Sequence, residues 1–226
     1  MIFSKFYLIN NFPDNYPLYK KVWANIIFFF SGIVISPRKN LLTLKDLFRV
    51  RLKLRKGDII LAGNLRQTSS LLISGSVTHS AVYVKHRRFI HAIASGVEYT
   101  SLDHIYHTYD TLAILRLPKI SNRRRIIRTA IKYAKSQLGK PYDFEFNKSE
   151  SAYFCTKLVN DCFLHAGYDT KLKSIKPTRG LGSKILSKVT TAHKALLPKE
   201  FIKGNFEVVF LSHNLAIKNR KLIYKE

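Results

Sequence analysis

Acidic residues are scarce in this chain. Only 14 Asp and Glu stand against 39 Lys and Arg, which leaves a formal net charge of +25. A field of that sign favours anionic partners: an anionic membrane surface, nucleic acid or an acidic polymer. The cations are spread along the whole length, and runs form only at Arg123-Arg124-Arg125 with Arg128 and in the tail from Lys218 to Lys225. Neither run sits in a nucleic-acid fold signature, so a nucleic-acid partner is not expected. Cysteine is scarcer still. Cys155 and Cys162 are the only two, and on one helix they would lie roughly 10 Å apart, beyond disulfide reach. No structural disulfide is expected, in keeping with a reducing compartment. The chain has no H-E-x-x-H motif and its cysteines are not at ligand spacing. No metal is therefore expected, and nothing calls for an organic cofactor. Repeats of fixed period and low-complexity segments are missing too. Hydrophobic residues, 46% of 226, exclude a disordered chain and leave room for one well-filled core or two small ones.

A long apolar run is also lacking. The best candidate, Val22 to Ile35, follows Lys20 and Lys21 and is closed by Pro37, Arg38 and Lys39. As a helix it spans about 21 Å, short of the roughly 30 Å hydrocarbon core. A cleaved signal peptide fits poorly, because the leader is long and no small-x-small site follows. Three readings stay open: a membrane-dipping anchor, an uncleaved export signal, or a helix packed on the domain. Residues 1–50 are read as an N-terminal extension with its apolar segment at 22–36, and residues 51–226 as the main domain. A membrane-associated or exported protein is expected in preference to a freely cytoplasmic one.

From residue 56 onward the pattern is that of a folded enzyme. Gly57 to Gly63 reads as a buried strand bounded by glycines. Thr78 to Lys85 and Arg88 to Ala92 form two strands with the basic turn His86-Arg87 between them. Val97–Thr100 and Thr111–Leu117 add further strands to an antiparallel meander. Ser121 is placed to cap a helix whose apolar residues Ile126, Ile127, Ala130, Ile131, Ala134 and Leu138 recur at helical spacing, with Gly139 and Pro141 ending it. A second helix is expected from Ala152 to Ala166, stopped by Gly167, and a last strand over Phe206–Leu211. Sheet, helices and a returning strand make an α+β arrangement.

Cys155 falls near the start of that second helix, after a loop with Lys148, Ser149 and Ser151. Unpaired N–H groups and the partial positive charge of a helix start favour a thiolate, so a lowered thiol pKa is expected there. Taken by itself, a lone cysteine is more often a buried small hydrophobe. Cys162, two turns further on the apolar face, fits that description and is assigned no chemistry. A thiolate nucleophile needs a base and the base needs an orienting group. His79 opens a strand and His91 lies in the next one. A connection of three or five residues would put His91 across from Ala81, on the face of His79; one of two or four would put it on the other face.

Taken in order, these segments resemble one family. They are Gly57-Asp58-Ile59-Ile60-Leu61, Thr78-His79-Ser80-Ala81-Val82-Tyr83, Phe89-Ile90-His91-Ala92 with Gly96-Val97, Leu138-Gly139-Lys140-Pro141-Tyr142-Asp143, and Tyr153-Phe154-Cys155-Thr156-Lys157-Leu158-Val159. The family is the circularly permuted, YiiX-like branch of the NlpC superfamily of papain-like cysteine peptidases, with lecithin retinol acyltransferase as a more distant relative. The resemblance spans about residues 55–167, and Leu197-Pro198-Lys199-Glu200-Phe201 with the last strand looks like the family's closing segment. It implies a permuted papain-like domain, an antiparallel sheet packed on helices. It also implies Cys155 as nucleophile, His79 as base, His91 as the third polar position and Tyr142 beside the oxyanion. Asp143 is read as a loop cap. Thr156-Lys157 departs from the serine and acid often found there. The expected activity is a cysteine hydrolase of amidase or peptidase type. It would act through a thioester on an amide or ester of a peptide, an amidated amino acid or an acyl lipid. An acyltransferase using the same residues, or a non-catalytic membrane-associated binding module, are the alternatives.

Overall fold

Residues 59–63 form a strand, β1 (Ile59–Gly63), buried at every position on both faces. Ile59 and Leu61 point into one apolar cluster and Ile60 and Ala62 into another, which is why the run is apolar throughout and does not alternate. A computed structural model of the protein describes residues 7–34, 40–66, 75–146, 151–175 and 196–225. The elements after β1 are β2 (His79–Lys85), β3 (Arg88–Ile93), β4 (Gly96–Ser101), β5 (Thr111–Arg116), β6 (Glu207–Leu211), β7 (Leu215–Lys218) and β8 (Lys221–Tyr224). The α-helices among the described residues are α1 (Leu18–Ser31), α2 (Leu44–Lys53), α3 (Leu102–Thr108), α4 (Arg123–Ser136) and α5 (Cys155–His165), with a 3₁₀ turn at Pro198–Ile202. Six strands pair in the order β4-β3-β2-β1-β5-β6, antiparallel throughout. The antiparallel sheet on helices expected for a permuted papain-like domain is present.

Both faces of the sheet are covered. One face carries α4 and α5 through Ala130, Ala134, Leu158, Val159, Cys162 and Phe163. The other carries α2 and α3 through Val50, Leu102 and Ile105. The expected strands all form. The first long helix differs slightly at its start: Asn122, not Ser121, holds the N-cap position, and no side chain caps it. The cysteine helix begins at Cys155 and not at Ala152, because Tyr142 and Tyr153 pair as an isolated parallel bridge and hold the preceding backbone extended. Lys148 and Ser149 of the expected loop lie outside the described residues.

The N-terminal region is tied to the rest of the chain. The boundary drawn after residue 50 falls inside α2, whose Val50 is buried in the core. Upstream, Asn11 donates to the backbone oxygens of Ser95 and Gly139, and Lys20 pairs with Glu145. The apolar run starts its helix earlier than expected, at Leu18, and Gly32 ends it, so the helix is 14 residues long. Ile35 and residues 36–39 lie outside the described residues. No helix among the described residues is long and apolar enough to cross a membrane.

Helix α2 is pinned at its start. Asp46 is buried, accepts from the Thr43 N–H (3.0 Å) and hydroxyl (2.7 Å), and reaches His213 Nδ1 (2.6 Å) and the His213 N–H (3.0 Å). Burial alone would raise this carboxyl. The hydrogen bonds from Thr43 and His213 overrule it and hold the group below its usual range. Stability from Asp46 is therefore full above the ordinary carboxylate pKa and is lost as pH falls through the lower folded value. Asp46→Ala should cost about 1–3 kcal/mol at neutral pH, read from denaturant midpoints. The loss should shrink as the pH is taken below about 4.

Candidate active site

His79 is the first residue of β2 and His91 lies in β3. The connection between them is the two-residue turn His86-Arg87, both residues in the left-handed region (φ 50° and 58°), with Lys85 across from Arg88. A two-residue turn in an unbroken ladder would send His91 to the opposite face from His79. The ladder is broken: the register shifts between Tyr83 and Lys85, so that Tyr83 faces Phe89 and Val82 faces Ile90. Val84 is the extra residue of a β-bulge, and continuing the shifted register places His91 across from Ala81. The two rings then meet nearly at right angles, 81°, with His79 Nε2 3.0 Å from His91 Nδ1.

Strand β4 extends this pair. Its register sets His91 across from Glu98, and His91 Nε2 lies 3.8 Å from Glu98 Oε1. That is too long for a hydrogen bond but close for a charge. Ser95 Oγ donates to the other carboxylate oxygen at 2.7 Å. The facing His91 ring, opposed by partial burial and helped by Ser95, holds Glu98 below the usual carboxylate range. With the proton of His91 on Nε2, toward the carboxylate, Nδ1 would accept from the His79 Nε2–H, and His79 Nδ1 would keep a lone pair. Gly96 supports the start of β4: at φ +117° it leaves no room for a Cβ, which would stand 2.5 Å from the Lys140 carbonyl oxygen. Val97 N–H donates to that same oxygen, tying β4 to the segment that carries Tyr142.

Cys155 is the first residue of α5, 7% exposed. Phe154 at the N-cap has no capping side chain, and no acid lies in the first turn. The sulfur faces the Thr156 hydroxyl at 3.7 Å, and Ser80 and Thr156 supply the other polar groups that act on it. Lys157 is spent on structure: its Nζ donates to the Ala152 carbonyl at 2.9 Å and sits 4.1 Å from the Tyr153 ring centroid. Two phenols approach the sulfur closely enough to feel its charge. Tyr142 is raised well above its ordinary pKa, by burial first and then by Cys155; Tyr109 is raised by the same two causes. Tyr109 also stacks flat on His79, with centroids 5.5 Å apart and planes 9° apart.

The structure therefore joins His79 to His91 and places Tyr142 by Cys155, but no hydrogen bond links Cys155 to His79. Strand alternation explains this: Ser80, against the sulfur, and His79 are neighbours in β2 and so point to opposite faces. The expected lowering of the thiol pKa is also overturned. Burial pushes the Cys155 thiol up, and the donors from Thr156 and Ser80 only partly offset it. His79 is driven well below its ordinary value by burial, by His91 and by His104. Both groups rest neutral. Cys162, fully buried in the core, is raised by burial and then by Asp161. Asp143 behaves as a loop cap, accepting from the Glu145 N–H at 3.0 Å. Sequence reasoning missed Tyr109, Ser80 and Glu98. Glu98 was accessible in principle, since a two-residue turn at Ala94-Ser95 sets it opposite His91.

Two outcomes follow for the resting protein. Iodoacetamide should label Cys155 more slowly than a small thiol at pH 7, with a rate that climbs only above about pH 8.5. Thr156→Val should slow it further, and Cys162 should be slower than both, as read by mass spectrometry of the two peptides. His79, depressed in the folded state, gives stability that is complete above about pH 6.5 and is lost as pH falls toward its folded value. His79→Gln should flatten that decline in thermal unfolding between pH 7 and 5.

No curated protein matches this chain. Among solved structures, that of the metalloprotein YiiX from Escherichia coli O157:H7 is similar, with a TM-score of 0.57 at 20% identity, covering 69% of this chain and 96% of that one. At that identity the likeness concerns the fold. A family model described as a permuted papain-like amidase enzyme, YaeF/YiiX, C92 family, matches residues 53–205. That match takes in β1, the histidine hairpin, the Tyr142 segment and the Cys155 helix, and with it this chain belongs to the C92 family of permuted papain-like amidase enzymes.

Proposed function

We propose that the chain is a cysteine-dependent hydrolase that cleaves an amide or ester through a thioester. The observation that carries this reading is the His79–His91 hydrogen bond, with Glu98 across from His91, in a chain whose Cys155 opens a helix. Cys155 Sγ attacks the substrate carbonyl while its proton passes to the lone pair on His79 Nδ1. Because both groups rest neutral, the proton moves during attack and not before it. The thiol must first turn from Thr156 toward the imidazole, and such contacts commonly close only when substrate is bound. The oxyanion is met by N–H groups at the start of α5 and by the hydroxyl of Tyr142. The imidazolium then returns the proton to the leaving amine or alcohol, and a water hydrolyses the thioester by the same route. His91 holds the ring, and Glu98 holds His91.

An acyl lipid is the substrate favoured among the three classes. The N-terminal segment and α1 enclose an apolar cleft of about 640 Å³ lined by residues including Leu8, Ile9, Phe12, Ile26 and Phe29. Phe12 lies 6.0 Å from Phe144, and Phe144 lies 4.9 Å from Tyr142, so aromatic rings lead from the cleft toward Cys155. The outer side of α1, with Leu18, Tyr19 and Trp23 exposed, is proposed to rest on the membrane holding such a lipid. An acyltransferase would use the same residues with another acceptor. YiiX is described as a metalloprotein. Among the described residues here, no group of three or more His, Cys, Asp or Glu could hold a metal ion, and no step is routed through one.

With acyl esters and aminoacyl amides bearing chromogenic leaving groups, Cys155→Ala and His79→Gln should each lower kcat/KM by about 10²–10⁴. His91→Gln should retain part of the activity, since its amide can still accept from His79. Glu98→Gln should cost less than either and should shift the pH profile, because it removes the charge beside His91. Equal losses in His79→Gln and His91→Gln would overturn the division of roles. A stable adduct absent from Cys155 on rapid quenching would overturn the thioester.

A further inference from the structure

Helix α2 buries one side and exposes another that is also apolar. Val50 is 1% exposed and Leu47 is half-buried against the sheet. Leu44, Phe48 and Leu52 are 74%, 62% and 70% exposed. They recur at four-residue spacing and so line one side of the helix over about 12 Å. The cations Lys45 and Arg49 flank that stripe, Arg51 and Lys53 are engaged by Asp103 and the Val209 carbonyl, and Arg55 and Lys56 follow the helix end, all exposed. The acid of the helix, Asp46, is buried and engaged by Thr43 and His213. Every exposed charge from Lys45 to Lys56 is therefore positive.

We infer that α2 is a docking face for an anionic lipid surface, with Leu44, Phe48 and Leu52 entering the acyl boundary and the flanking cations meeting head-group phosphates. A narrow apolar stripe edged by Lys and Arg on a preformed helix is the pattern of an interfacial helix. The helix is fixed before it binds. The Thr43–Asp46 capping box holds its start, and Arg51 to Asp103 (2.8 Å) and Lys53 Nζ to the Val209 carbonyl (3.2 Å) hold its end, so no folding has to accompany docking. A second copy of the chain is a poor occupant, because it would bring two cationic stripes and two net charges of +25 together. A local acidic groove would use only the flank. An extended anionic plane uses the flank and the charge spread over the rest of the chain. This inference does not rest on catalysis and is separate from the contact proposed for α1.

The test uses the full chain with Trp23→Phe, which removes the native indole, and Phe48→Trp, which puts a reporter in the stripe. With vesicles containing phosphatidylglycerol at low salt, the emission should move to the blue and the protein should co-sediment. With phosphatidylcholine alone it should do neither, and added salt should reverse both. In the otherwise unaltered chain, Leu44→Ser, Phe48→Ser and Leu52→Ser combined should weaken sedimentation about tenfold with an unchanged unfolding midpoint. Lys45→Glu with Arg49→Glu is a second variant that leaves the stripe intact and should also weaken it. Cys155→Ala should bind vesicles like the parent, which separates this result from any failure of the hydrolase reading. Sedimentation without a blue shift would place the contact elsewhere and overturn the assignment. So would no binding at all, or a shift produced by polyglutamate but not by vesicles, which would assign the stripe to an acidic protein.

Discussion

One extra residue in β2 decides whether this protein has a histidine pair. The His86-Arg87 turn is the short kind that matches strand twist, and its residues pay for it with positive φ. Left alone, it would set His91 against Val82, facing α4 and α5, where Val82 and Ile90 now pack into the core. The bulge at Val84 shifts the ladder by one, and a shift of one reverses every side chain beyond it. His91 then faces His79 and Ile90 faces the core. Because β3 and β4 keep an unbroken register from Arg88–Ser101 to Ile93–Gly96, the same shift carries Glu98 to the far side of His91. The alignment of His79, His91 and Glu98 is thus a consequence of backbone register, fixed before any side chain chooses a rotamer.

The same geometry explains why the site rests uncharged. A helix start and four nearby donors favour a thiolate at Cys155, yet desolvation is the larger effect and the thiol goes up. One unit of such a shift is about 1.4 kcal/mol between the two protonation states, so modest changes in burial reverse the balance. Across β2, His79 is pushed the other way, toward the neutral base. A neutral thiol with a neutral imidazole cannot be an ion pair at rest. On the proposed mechanism, the proton moves only when a substrate carbonyl supplies the drive.

Much of this was legible in the sequence because both-sided burial and helical periodicity leave strong marks. The strands from β1 to β6 and the helices α4 and α5 follow from runs of apolar residues, and the place of Cys155 at a helix start follows from its spacing to Gly167. The hairpin face was left open by the sequence for a physical reason: a bulge changes register without changing composition. Helix α2 was missed although Thr43 and Asp46 form a capping box, because its outer residues Leu44, Phe48 and Leu52 blur the amphipathic pattern. The tail read as a charge run is the hairpin β7–β8, turned by Asn219-Arg220 at positive φ, and its cations lie on an exposed ladder. The ionisation of Cys155 was misjudged because helix position is visible in sequence and desolvation is not.

The balance between an enzyme and a binding module turns on what the site costs. His79 and His91, 8% and 3% exposed, are buried polar rings in a sheet whose neighbouring positions are Ala, Val, Ile and Phe. His79 is destabilising whenever it must be charged, and the sulfur beside Ser80 faces donors that would be better satisfied by oxygen. A module that only held a surface would gain stability by replacing these groups with apolar residues of similar volume, as happens with other buried polar sets. Local choices that lower stability mark functional positions, because the rest of the sheet obeys its packing rules. Here the bulge near the end of β2 is what brings the histidine pair together at its start. On the proposed mechanism, an imidazole held by a second ring has a use in acyl transfer and no evident use in adhesion.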